Sequence, residues 1–217
     1  MQQAVKYEHI IFDLDGTLID TNKTILKTWQ LTLKEYGYEY TLEELEIVLG
    51  ITTQKALEKL NILVNEEFEK RWIVNYQKFA GEADFFGGVW EMLLSLKAGG
   101  YSLGVVTSRC RKEYEDYFRI FRLETIFDLI ICADDTEKHK PDPEPLYQYA
   151  RQINTTPGAC IYVGDMPTDI ECANNAGTAS GLVLWNGSGI ICEGADFIFH
   201  SPEELASLFF RTKLPDQ

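Results

Sequence analysis

Apolar and polar positions fall into blocks along this chain, and the character of the blocks changes twice. The first block, Ile10-Ile11-Phe12, is a short unbroken apolar run that stops at Asp13-Leu14-Asp15-Gly16-Thr17. Such a run predicts a strand buried on both faces of a parallel sheet. From about Asp20 to Asp84 strand signals fade and a helical period takes over. Ile25, Trp29, Leu33 and Tyr36 mark one face of a helix that Gly37 ends. Thr41 and Glu44 form a capping box for a short second helix ending near Gly50, and Thr53 to Leu60 reads as a third. Asn65 can cap a fourth helix, whose buried stripe is Phe68, Trp72, Tyr76 and Phe79. Those aromatics read as core rather than as a ligand platform.

From Gly87 onward helix and strand alternate. Val89 to Ala98 reads as helix, Ser102 to Thr107 as strand, Arg111 to Arg122 as helix and Leu129 to Cys132 as strand. Pro143 to Ile153 is helical, Cys160 to Val163 a strand, and Thr168 to Ala176 a helix closed by Gly177. Leu182 to Leu184 and Phe197 to Phe199 are short strands. Ser201-Pro202-Glu203-Glu204 opens the last helix with an N-cap, a first-turn Pro and a capping-box Glu. Leu214 to Gln217 reads as a frayed tail. The alternation predicts an α/β fold with a doubly wound parallel sheet. The expected organisation is an α/β core from residues 1–19 and 85–217, interrupted by an all-α insert over 20–84.

Composition narrows the classes of function. The 217 residues carry 34 acids against 20 Lys plus Arg, a net charge of −14. That surface repels phosphate backbones and anionic lipids, so nucleic-acid and membrane binding are disfavoured. An anionic substrate needs local cations. Cys110, Cys132, Cys160, Cys172 and Cys192 are scattered, which fits thiols in a reducing compartment better than a disulfide framework. Met1-Gln2-Gln3 is a polar start with no signal-peptide core, and no apolar run reaches membrane-spanning length. The expectation is a soluble cytoplasmic protein, in which Asn-x-Thr/Ser triplets at Asn22, Asn154 and Asn186 mean little.

The polar residues that matter stand where the strands stop. The first strand ends in Asp13 and Asp15, the second in Thr107-Ser108-Arg109, and the fourth in Gly164-Asp165 with Asp169 four residues on. Lys138-His139-Lys140-Pro141-Asp142-Pro143 precedes the intervening helix. In a parallel sheet these strand ends share one edge, so distant segments converge. Two acids one residue apart repel unless a cation or phosphoryl group is shared between them. A carboxylate can attack phosphorus, and a second can protonate the leaving oxygen and then activate water. Thr107 and Lys140 can hold phosphoryl oxygens, and Asp165 can complete an oxygen-ligand set for Mg²⁺. Each piece also has a plain alternative. Asp15-Gly16 is a turn signal, Thr107-Ser108 a capping pair, Lys140 a loop charge, and Asp169 a helix-start acid.

Taken together, Asp13-Leu14-Asp15-Gly16-Thr17, Val105-Val106-Thr107-Ser108, His139-Lys140-Pro141-Asp142-Pro143-Glu144-Pro145 and Val163-Gly164-Asp165 with Asp169 resemble the four signature motifs of the haloacid dehalogenase superfamily. The 20–84 insert resembles the α-helical cap of the phosphoglycolate phosphatase-like and β-phosphoglucomutase-like branch. The resemblance implies a Rossmann-like core, with Asp13 as nucleophile and Asp15 as general acid/base. It further implies phosphate binding by Thr107 and Lys140, with Ser108 beside them. Mg²⁺ would be held by Asp13, the backbone carbonyl of Asp15 and Asp165, with Asp169 in support. Gly16 and Thr17 would begin the segment that lets the cap move.

Within the family, Asp15 argues against a dehalogenase, which protonates no leaving alcohol. The only histidines are His9, His139 and His200, so the insert lacks the cap histidine of the mutases. Lys23, Lys27 and Lys34 lie in the insert, but nothing marks one as the desolvated Schiff-base lysine of phosphonate-cleaving relatives. A Mg²⁺-dependent phosphatase of a small phosphorylated metabolite is the expected function. Phosphoglycolate, pyrophosphate, a nucleotide or a sugar phosphate all remain as substrates. Gly50-Ile51-Thr52-Thr53-Gln54-Lys55 is the expected specificity loop, with Thr53 a candidate substrate contact; it carries one Lys and no Arg, and alternatively it only starts a helix. A binding or regulatory protein on the same fold is the reading from a different class. Monomer and homodimer are equally compatible with the chain.

Overall fold

The computed structural model describes residues 7–49, 53–187, 189–190 and 192–211, with the side chains of residues 54, 55 and 211 excepted. Gly50, Ile51 and Thr52 of the expected specificity loop, and the tail from Leu214, lie outside the described residues.

Strand β1 (His9–Phe12) is the axis of a six-stranded sheet. It is followed by β2 (Ile19–Asp20) and, after the helical segment, by β3 (Asp84–Phe85), which pair as a two-stranded ribbon. The remaining strands are β4 (Ser102–Val106), β5 (Leu129–Ile131), β6 (Cys160–Gly164), β7 (Ala179–Val183) and β8 (Phe197–Phe199). The large sheet runs β5-β4-β1-β6-β7-β8 with every pairing parallel. Phe12 is in register with Val105 on one side and Val163 on the other. The order reverses at β1, so its carboxyl end is the switch point at which doubly wound sheets open a crevice.

Side chains on β1 alternate between the two faces, as the two-residue period demands. Ile11 joins Val106, Ile131, Tyr149, Tyr162 and Cys172 in one buried cluster under α6 (Glu144–Gln152) and α7 (Pro167–Ala176). Ile10 and Phe12 are fully buried too, and Phe12 meets the Phe127 ring edge-on at 6.3 Å. Helices α4 (Val89–Ala98) and α8 (Pro202–Arg211) complete this unit. The Tyr101 hydroxyl donates to the Phe209 carbonyl at 2.9 Å and ties α8 down. Full burial of each large apolar side chain contributes about 1.5–3 kcal/mol. Gly104 interrupts β4 because a Cβ there would stand 2.1 Å from the Tyr149 ring.

The chain separates into two compact units, residues 1–19 with 85–217 and residues 20–84. The second contains α1 (Asn22–Glu35), a 3₁₀ turn (Glu44–Val48), α2 (Thr53–Leu60) and α3 (Glu67–Phe79). Its core is Trp29, Leu33, Leu45, Val48, Ala56, Ile62 and Phe68. The Thr41/Glu44 capping box forms in both directions, at 2.8 and 3.3 Å. It opens a 3₁₀ turn, however, not the expected α-helix. The Asn65 side chain accepts from the Glu67 amide at 3.1 Å, and Phe68 and Tyr76 are buried while Trp72 and Phe79 are half-buried. Thr24, Thr28 and Thr32 add a buried hydroxyl stripe on α1. Thr28 and Thr32 donate to the carbonyls four residues back, which lets a polar face enter the core.

Beyond the 3₁₀ turn at Glu44–Val48 and the β2–β3 ribbon, two more elements differ from expectation. Arg111 to Arg122 is not one α-helix: α5 (Arg111–Glu113) widens into a π turn (Tyr114–Phe118) and tightens into a 3₁₀ turn (Arg119–Phe121) before Arg122 at φ +49°. The pattern marks the buried Tyr114, Tyr117 and Phe118, but over one turn it cannot show the helix radius. Strand β7 begins at Ala179, three residues before the apolar run. Gly181 is small because the Phe199 ring of β8 leaves no room; a Cβ there would meet it at 2.9 Å.

Candidate active site

The strand ends converge on one buried cation. Lys140, in the loop ahead of α6 and joined to Pro141 by a cis peptide, has a side chain only 7% exposed. Its Nζ donates to Asp13 Oδ1 at 2.9 Å, Asp169 Oδ1 at 2.7 Å and the Tyr162 hydroxyl at 3.1 Å. Tyr162 in turn donates to the Val106 carbonyl at 2.9 Å, which links the β6 side of the site to the end of β4. Asp13 sits one residue past β1, its amide extending the ladder to the Val163 carbonyl at 2.8 Å.

Asp165 follows β6 and is held from two directions. The Thr17 hydroxyl donates to its Oδ1 at 3.2 Å, and the Asn186 amide donates to its Oδ2 at 2.9 Å and to the Gly16 carbonyl at 3.0 Å. Trp185 donates from its indole to the Thr17 carbonyl at 2.9 Å. The ligand oxygens of Asp13, Asp165 and Asp169 all lie within 4.8 Å of one another, and all three residues are buried. Two glycines make this packing possible. Gly16, at φ +76°, would put a Cβ 2.4 Å from the Asp165 carboxylate, and Gly164 would put one 2.4 Å from that of Asp169.

The electrostatics follow from crowding. Burial, and then the neighbouring Asp169 and Asp15, push Asp13 up to about 7 against the lowering pull of Lys140. Asp165 is also raised, by burial first and then by Asp13 and Asp169. Burial alone would lower Lys140, but Asp13 and Asp169 hold it well above the ordinary lysine value, so it stays cationic. Three buried carboxylates thus face one ammonium. The excess negative charge and all-oxygen donor set fit a hard divalent cation.

The structure brings together Asp13, Lys140, Asp165 and Asp169, with Gly16 and Thr17 packed against Asp165. Thr107 is buried at the end of β4, where its hydroxyl accepts from the Arg109 amide at 3.2 Å; Ser108 beside it is exposed. The Asp15 carboxylate stands apart from the three-carboxylate group and is gripped by Arg109. Thr53 opens α2 in the 20–84 unit. The sequence places Arg109 at its strand end without a role, and Tyr162 and Asn186 are not among the expected site residues. Asn186 was discoverable, since it follows the fifth strand of the sheet just as Asp165 follows the fourth.

Comparison with known proteins agrees with this geometry. The haloacid dehalogenase-like hydrolase family model matches residues 10–183. Pyrophosphatase PpaX of Bacillus cereus (strain B4264) is 32% identical over 186 residues, covering 83% of this chain and 84% of that protein. A structure assigned as a phosphoglycolate phosphatase of Lactobacillus plantarum superposes with a TM-score of 0.84 at 25% identity, covering 94% of this chain and all of that one. One assigned as a β-phosphoglucomutase of Thermotoga maritima gives 0.78 at 26%, covering 95% of this chain and all of that one. With three strand-end segments and the Lys140 loop folded onto one switch point, and a family model that matches residues 10–183, this chain belongs to the haloacid dehalogenase-like hydrolase family.

Proposed function

We propose that this hydrolase is a Mg²⁺-dependent phosphatase that releases phosphate from a small phosphorylated metabolite through an aspartyl-phosphate. The observation that carries the reading is Lys140, buried and bridging Asp13 and Asp169 beside Asp165. A phosphoryl group entering such a site meets a nucleophile and a fixed cation in one place.

Asp13 attacks phosphorus while the bond to the leaving oxygen breaks, and Asp15 gives that oxygen a proton. Asp15 then takes a proton from water as the water attacks phosphorus, and the Asp13–phosphorus bond breaks to release phosphate. Lys140 and Thr107 hold phosphoryl oxygens as charge develops on them. Asp13, the Asp15 backbone carbonyl and Asp165 would hold the cation, with Asp169 kept in place by Lys140 and by the Met166 amide at 3.0 Å. A bound Mg²⁺ supplies charge neutralisation between Asp13 and an incoming phosphate.

Similarity to the PpaX pyrophosphatases favours pyrophosphate over larger phosphoesters. The absence of histidine from residues 20–84 argues against a mutase, despite the likeness to a β-phosphoglucomutase. The test is phosphate release from pyrophosphate, phosphoglycolate, nucleoside monophosphates and sugar phosphates, with and without Mg²⁺. Activity surviving in Asp13→Asn would sink the nucleophile assignment. No turnover of any of these substrates would return the chain to a binding role.

A further inference from the structure

Arg109 and Asp15 lie 94 residues apart in sequence and meet as a fork on a carboxylate. Arg109 donates from Nε to Asp15 Oδ2 at 3.0 Å and from Nη2 to Asp15 Oδ1 at 2.9 Å. Two parallel N–H bonds fix the plane of a carboxylate, which a single ammonium cannot do. The guanidinium is itself braced. Its Nη1 lies 3.4 Å from Glu113 Oε1, and its Cζ stands 5.7 Å from the centre of the Phe118 ring. Glu113 is anchored at its other oxygen by the Cys110 amide at 3.0 Å, and the Arg109 amide donates to Thr107 Oγ1. A continuous chain of contacts therefore runs from the start of α5 through Glu113 and Arg109 to Asp15. Both partners are mostly shielded, with 13% and 23% of their side chains exposed.

We propose that Arg109 is the positioning residue for Asp15, fixing the direction in which that carboxylate meets the leaving oxygen. The proposal rests on Asp15 being the acid/base. A surface-type ion pair that only stabilised the fold would need neither the fork nor the bracing, and removing it would slow all substrates alike.

The distinguishing measurement is a leaving-group series: phenyl, 4-nitrophenyl and 2,4-dinitrophenyl phosphate. These are similar in shape but differ in how much the leaving oxygen needs a proton. Positioned acid–base catalysis contributes about 10²–10⁴-fold. Arg109→Gln is expected to lower kcat/KM, which reports only the steps through phosphoryl transfer to Asp13, by about 10–100-fold for phenyl phosphate, with a far smaller loss for the dinitrophenyl ester. Arg109→Lys keeps the charge but not the fork, and is expected to leave the phenyl phosphate loss largely in place. In an Asp15→Asn background, Arg109→Gln should add almost nothing. Equal losses across the series, full rescue by Lys, or additive losses in the double variant would each overturn the proposal. If Asp15→Asn itself slows all three esters equally, the acid/base reading fails and the proposal falls with it. Melting temperatures of the same variants show whether a lost rate is merely a lost fold.

Discussion

Removing divalent cations should make the stability of this protein fall as pH rises, contrary to the usual behaviour of a carboxylate-rich chain. The perturbation is chelation at pH 5.5 and pH 8. In the cation-free site, burial and neighbouring acids raise Asp13 from 3.8 to about 7. Between those values the folded protein binds more protons than the unfolded chain, so the slope of unfolding free energy with pH is negative. Of that span the two test pH values cover about 1.5 units, worth about 2 kcal/mol at about 1.36 kcal/mol per pH unit. For a chain of this size that is roughly 5 °C in melting temperature. Asp165, raised for the same reasons, acts in the same direction.

The assay is thermal melting in chelator and in excess Mg²⁺, for wild type and Asp13→Asn. Cation binding competes with protonation, so Mg²⁺ should raise the melting temperature more at pH 8 than at pH 5.5. A cation at about 100 times its dissociation constant stabilises by about 2.7 kcal/mol. Asp13→Asn should flatten the chelated profile. His9, held low chiefly by burial, pulls the other way but is common to both proteins and cancels in their difference. A chelated wild-type profile that is flat or rising, parallel to that of Asp13→Asn, would refute the reasoning.

Three further outcomes follow from particular contacts. Asn186→Ala removes the 2.9 Å donor to Asp165 and should raise the Mg²⁺ concentration for half-maximal activity about tenfold, read by Mg²⁺ titration. Gly164→Ala drives a Cβ into the Asp169 carboxylate and should lower both melting temperature and kcat; Gly158→Ala, with open space around it, should change stability by less than about 0.5 kcal/mol. Asp128 is partly buried, which raises it, but bonds from Lys97, Ser102 and the Leu103 amide hold its carboxyl below the usual range. Its contribution is therefore present above the unfolded carboxyl value and lost as pH falls through the folded one. With 39% of that side chain exposed, the contribution is no more than about 1 kcal/mol, and Asp128→Asn should shallow the acid limb of a urea-melt series by that amount.

The parallel core was legible because its signals are local and redundant. The unbroken run at Ile10-Ile11-Phe12 needs burial on both faces, and the central strands β4, β5 and β6 show apolar stretches in turn. The convergence of Asp13, Lys140 and Asp165 was legible by the same logic, since parallel strands put their carboxyl ends on one edge. What escaped depends on side-chain reach. Arg109 looked like one more residue after Thr107-Ser108; only the folded path of β4 beside β1 brings its guanidinium to Asp15. Asn186 falls in an Asn-x-Ser triplet that carries no meaning here, and the small residues at the start of β7 leave its apolar signal beginning only at Leu182. Tyr162 lies inside a strand, where a tyrosine reads as core; its hydroxyl becomes a site group only when Lys140 folds over it.

The net charge of −14 and an anionic substrate are reconciled by depth. The two cations of the strand-end cluster sit at different levels of shielding and have different partners. Lys140, 7% exposed, is shared by Asp13 and Asp169, while Arg109, at 13%, is committed to Asp15. Neither serves as a general attractor for anions, because each is already neutralised by carboxylates. On the proposed reading, a cation held by the Asp13–Asp165–Asp169 cluster would add to Lys140 the positive charge that a phosphoryl group meets. An acidic surface helps here, since it draws divalent cations and repels polyanions such as nucleic acid. On the proposed reading, this placement of charge favours small, metal-complexed phosphates over polyanions.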